Sequence, residues 1–79
     1  MSSNLAEFPL KLLIMKSFGS NLKLYRQAKQ LSQKKLGELL GFSARTVSDW
    51  ECGNTEPDIK TIKQLVIILE ISLEELFDF

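Results

Sequence analysis

The side chains of this sequence that could make or break a covalent bond lack the partners to do so. Cys52 stands alone, and there is no histidine to serve as its base or to join it around a metal ion. No nucleophile has a general base and no acidic cluster has ligand spacing, so an enzyme is the least supported class and neither metal nor cofactor is expected. What remains is the chemistry of positively charged donors. In residues 1–48, Lys11, Lys16, Lys23, Arg26, Lys29, Lys34, Lys35 and Arg45 stand against only Glu7 and Glu38, a net +6, whereas residues 49–79 carry −6. Charge divided in this way implies that a surface of the N-terminal half meets a polyanion, with an ordinary mixed-charge surface as the alternative.

The elements that position these donors must fit in one domain, because the chain has 79 residues, and 44% apolar residues can build one modest core. One site must therefore carry the function. A lone cysteine makes a reduced, cytoplasmic protein the default. The longest apolar run, residues 65–69, falls far short of the roughly 20 residues of a membrane span, and no signal-peptide pattern opens the chain.

Apolar spacing predicts an all-α fold of short helices. Phe18, Leu22 and Tyr25, at i, i+4 and i+7, place the first over about residues 18–29. Ser32 caps the second, with Lys35 where a capping box would have Glu or Gln, and Leu36, Leu39 and Leu40 form its inner face. Gly41 ends that helix by accepting positive φ. Gly37, inside it, is a position where alanine should stabilise if the methyl group fits. Ser43 caps a third helix over about residues 44–51 that buries Val47 and Trp50. After a loop over residues 52–57, a fourth helix begins near Pro57 and turns Ile59, Ile62, Leu65, Val66 and Leu69 inward. Ser72 caps a fifth that buries Leu73, Leu76 and Phe77. Residues 1–17 form an arm before the domain of residues 18–79. Within the arm, Leu10, Leu12 and Ile14 alternate with their neighbours in a way that permits a short strand, and Pro9 opposes a helix through that point. A flexible arm, a swapped strand and a true start at Met15 are the other possibilities.

Two short helices joined by the tight turn Gly41-Phe42-Ser43 have the helix-turn-helix form that can set one helix into the major groove of DNA. Leu31-Ser32-Gln33 followed by Leu36, Leu39, Gly41, Val47-Ser48, Trp50-Glu51, Gly53 and Pro57, and the ending Ile71-Ser72-Leu73-Glu74-Glu75-Leu76-Phe77, resemble the Cro and phage-repressor-like helix-turn-helix family over about residues 18–77. The resemblance implies a compact five-helix, lambda-repressor-like DNA-binding domain that works as a dimer. It implies that Gln33 holds a phosphate and braces the recognition helix, a role suited to an amide beside the N–H groups of a helix start. It implies, too, that Arg26 and Glu51 pair inside the domain and tie the first helix to the third.

The face of the third helix turned away from Val47 and Trp50 is then the candidate reading face. Ala44, Arg45, Ser48 and Asp49 are the candidate base contacts, and Ser43, Thr46, Lys34 and Lys35 join Gln33 as candidate backbone contacts. Arg45 is the best reader, since guanidinium donates two hydrogen bonds to guanine O6 and N7, with a phosphate contact or a solvated charge as its alternatives. Ala44 offers only a methyl group. Asp49 either accepts from cytosine N4 or orients Arg45 one turn away. Trp50 belongs to the core, and Glu70, where the family often has glycine, should make the turn after the fourth helix less relaxed. The expected function is operator binding as a homodimeric regulator, most often a repressor, with no small-molecule ligand and no membrane. Ile67, Leu76, Phe77 and Phe79 are the candidate dimer interface. An antitoxin or protein-interaction module with a toxin as partner is the rival, suggested by the same apolar residues.

Overall fold

A computed structural model describes residues 10–77, with side chains from Phe18 onward. The described residues form five helices and no strand: α1 (Leu10–Ala28), α2 (Gln33–Leu40), α3 (Ala44–Cys52), α4 (Ile59–Leu69) and α5 (Leu73–Phe77). The strand permitted over residues 10–14 does not form, and α1 starts well before Phe18. Pro9 bars a helix that runs through it, but not one that begins immediately after it.

The starts of α2, α3, α4 and α5 each have a local cause. Ser32, Ser43 and Asp58 sit in extended conformation just before α2, α3 and α4, and their side chains accept from the backbone N–H of Lys35, Thr46 and Thr61. Asp58, rather than Pro57, thus sets the start of α4, and the bonds from Thr61 hold its carboxyl below the usual aspartate range. Ser72 makes a reciprocal capping box with Glu75: its hydroxyl accepts from Glu75 N–H at 3.0 Å, and its own N–H donates to the Glu75 carboxylate at 2.8 Å.

The helix ends share one device. After α1, α2, α3 and α4 the chain turns through a left-handed residue, Gln30, Gly41, Gly53 and Glu70 respectively. In each case the next N–H bonds a carbonyl five residues back: Leu31 to Arg26, Phe42 to Gly37, Asn54 to Asp49 and Ile71 to Val66. The two ends without glycine adopt φ of 59° and 57°. They are also cross-linked, because the Lys29 ammonium donates to the Glu70 carboxylate, holding that carboxyl below its ordinary value.

All five helices feed one core. Phe18, Leu22, Leu36, Val47, Trp50, Leu65, Leu69 and Leu76 are buried, and the Phe18 and Phe77 rings pack 5.0 Å apart. Three residues expected inside lie outside. Leu39 is exposed because the inner stripe of α2 is centred on Leu36, Gly37 and Leu40. Ile59 is exposed because the stripe of α4 runs through Thr61, Leu65 and Leu69, a third of a turn away. Leu73, at the first position of α5, is 51% exposed although it lies only one turn from the buried Leu76, because the end of the helix leaves it uncovered. No helix of the described residues is long and apolar enough to cross a membrane.

Two glycines permit backbone contacts that any side chain would block. A Cβ on Gly19 would lie 2.4 Å from the Glu51 carbonyl oxygen, so α1 rests directly on the end of α3. A Cβ on Gly37 would lie 2.6 Å from the Phe42 carbonyl oxygen and 3.0 Å from that of Ser43. The extra methyl group does not fit, which reverses the stabilisation expected for alanine at Gly37.

Candidate nucleic-acid interface

The close contact at Gly37 folds the turn back on α2 and fixes the path into α3. Phe42 leaves the turn to pack edge-on against Trp50, with ring centroids 5.1 Å apart. The Ser43 hydroxyl, besides accepting from Thr46 N–H at 3.1 Å, lies 3.1 Å from the Thr46 hydroxyl. Val47 and Trp50 seal the inner side of α3.

The far end of α3 is held by a buried charge network. Arg26 Nε and Nη2 donate to the two oxygens of Glu51 at 2.6 and 3.1 Å, and Arg26 Nη1 donates to the Leu31 carbonyl at 2.8 Å. The side chains are 8% and 3% exposed, so this fork is desolvated and its geometry is rigid. Gln33, the first residue of α2, donates from Nε2 to the same carboxylate at 3.1 Å. One acid thereby joins α1, α2 and α3. Because a carboxylate only accepts, the bond also fixes which end of the Gln33 amide is nitrogen.

The outer face of α3 contrasts with this. Arg45 is 86% exposed, and its Nε lies 3.7 Å from Asp49 Oδ1. Ala44, Thr46, Ser48 and Asp49 are half-buried around it. Lys34 and Lys35 are exposed on the first turn of α2, next to the Ser32 cap. Lys29, another positive charge of the N-terminal half, is engaged with Glu70.

The candidate dimer residues separate. Ile67 is 74% exposed on the outer side of α4. Leu76 is fully buried in the core and its carbonyl accepts from Asn21 Nδ2 at 3.2 Å, so it is a core residue that ties α5 to α1 and not an interface residue. Phe77 is half-buried against Phe18, and Phe79 lies outside the described residues. Gly19, which lets α1 rest on the end of α3, is a positioning residue that spacing alone did not reveal.

Comparison with known proteins places this geometry in a family. A helix-turn-helix family model matches residues 22–76. The chain is 37% identical over 59 residues to the uncharacterized HTH-type transcriptional regulator YqaE of Bacillus subtilis (strain 168), covering 75% of this chain and 51% of the relative. It is 33% identical over 61 residues to the ImmF control region 10 kDa protein of Bacillus phage phi105, covering 77% of this chain and 68% of that protein. Among solved structures it resembles the restriction-modification controller protein C.AhdI from Aeromonas hydrophila, with a TM-score of 0.72 and 35% identity over 80% of this chain and 96% of that one. The chain belongs to the Cro/C1-type helix-turn-helix family of transcriptional regulators. It spans about half the length of YqaE and of a second relative, the SPbeta prophage-derived regulator YonR of the same strain.

Proposed function

We propose that this chain binds double-stranded DNA at a specific operator as a homodimer and acts as a repressor. The observation that carries the reading is the contrast across α3: its inner side and its far end are locked by Trp50 and the Arg26–Glu51–Gln33 network, while Arg45 projects into solvent. A rigid helix with a protruding guanidinium suits insertion into the major groove, where Arg45 reads guanine and Ala44, Ser48 and Asp49 face neighbouring bases. Gln33, the cap residue Ser43 and Thr46 in the first turn of α3 then approach one phosphate strand, and Lys34 and Lys35 lie over it. Ile67 supplies the apolar contact between copies, which sets two recognition helices about 34 Å apart on one face of the duplex. Controller and phage-control proteins among the relatives support a regulatory role.

Salt titration of binding to duplex DNA tests the backbone half of this reading. Changing Lys34 and Lys35 together to Gln should flatten the slope of log affinity against log salt by about 0.9 for every phosphate that the two lysines neutralise. An unchanged slope removes both from the interface. Sedimentation of Ile67→Ser tests the assembly: a monomer with weakened operator affinity supports the dimer, and an unaltered dimer moves the interface elsewhere.

A further inference from the structure

We propose that Asp49 is a positioning residue for Arg45 and, through it, restricts the reading face to guanine at one position of each half-site. The inference rests on the DNA-binding function proposed above. Both residues lie on the outer side of α3 at i and i+4, with Nε and Oδ1 3.7 Å apart. They differ in freedom. Arg45 is 86% exposed, whereas Asp49 is 28% exposed and sits where the helix closes: its carbonyl accepts from Asn54 N–H at 2.9 Å and Thr55 N–H at 3.4 Å. The short, less exposed side chain of Asp49 has few rotamers and so orients the long, exposed arginine.

Donor geometry says what the orientation achieves. Guanidinium carries five N–H donors in one plane. With its Nε edge turned to Asp49, the end bearing the two Nη groups remains available, and that fork matches O6 and N7 of guanine. An arginine without this anchor rotates as readily toward a phosphate. The carboxylate also contributes by repulsion, since it disfavours complexes in which the reading face meets only phosphates. Asp49 thus raises specificity while lowering affinity for arbitrary DNA, an effect that a purely structural residue would not have.

The test uses duplexes selected from a random pool by the unaltered protein, the same duplexes with each position changed in turn, and a duplex lacking the selected site. Arg45→Ala identifies the position that Arg45 reads. Asp49→Asn should lose about five- to tenfold of the discrimination at that same position and bind the siteless duplex more tightly, with an unchanged melting temperature. Asp49→Glu should recover part of the discrimination. In an Arg45→Ala background, Asp49→Asn should change nothing at that position. Full discrimination in Asp49→Asn, or a loss centred on a different base, overturns the inference and leaves DNA binding standing. An unaltered protein that selects no site overturns both.

Discussion

Helix α3 carries two arginine–carboxylate pairs, and their surroundings separate their roles. At its C-terminal end Glu51 receives a bidentate fork from Arg26 in a desolvated junction, with Nε–Oε2 at 2.6 Å. On its outer face Arg45 and Asp49 sit 3.7 Å apart in water. The first pair must be intact for the helices to meet, because an unpaired buried charge is costly, while the second is too solvated to join helices or to add measurably to stability. The same chemistry is therefore architecture at the end of the helix and, in the proposed DNA complex, a means of recognition on its outer face. Where a charge is buried decides which.

Removing one carboxylate from each pair is the bluntest way to break the comparison. Glu51→Ala should cost about 3–5 kcal/mol, a large part of the stability of so small a domain, because it strands Arg26 and releases Gln33. Asp49→Ala should stay within about 0.5 kcal/mol. Chemical denaturation of both variants measures the difference, and equal losses would abolish the distinction.

The junction can also be attacked without touching a charge. Gly19→Ala and Gly37→Ala each force a methyl group onto a backbone carbonyl, at 2.4 and 2.6 Å, where no side chain can move aside. Each should lose about 1–3 kcal/mol despite the better helix propensity of alanine. If either variant were more stable than the parent, the helices would have to sit further apart than described.

The exposed Lys29–Glu70 pair extends the comparison to acid. Lys29 depresses the Glu70 carboxyl below its ordinary value of 4.5, so the pair's contribution is complete above that value and is lost as pH falls through the lower value of the folded chain. Thermal melts of the parent and Glu70→Gln should therefore differ at neutral pH and converge in acid. A difference that persisted at low pH would assign the effect to the turn rather than to the charge.

The smallest effect concerns the turn itself. Gln30 occupies a left-handed conformation at φ 59°, so Gln30→Gly should stabilise by about 0.5–1 kcal/mol, against the usual direction for glycine. Chemical denaturation beside the parent measures the gain.

These positions also mark how much of the molecule was legible in its sequence. The caps Ser32, Ser43 and Ser72 and the left-handed Gly41 could be read directly, because their chemistry is completed within three or four residues. The Arg26–Glu51 tie came from resemblance, and the charge types alone would not have paired residues 25 apart. Leu39, Ile59 and Leu73 were misplaced because leucine and isoleucine do not encode which arc of a helix its neighbours will cover. Gly19 left no signal, since its use lies in the backbone of another helix. Gln30 left none either, as its residue type does not announce positive φ, whereas Glu70 was marked only through resemblance, as the residue standing where the family often has glycine. The candidate reading face was legible for a simpler reason: on a nine-residue helix, whatever is opposite Val47 and Trp50 must face outward.

That the outer face of α3 reads DNA through Arg45 can be tested by selecting bound duplexes from a random pool with the parent protein and with Arg45→Ala. The parent should select a defined sequence of two half-sites. Arg45→Ala, with an unchanged fold, should show a preference weakened by about 1–3 kcal/mol at one guanine in each half-site and retained elsewhere. Identical preferences for the two proteins, or a uniform loss at every position, would contradict the role given to Arg45.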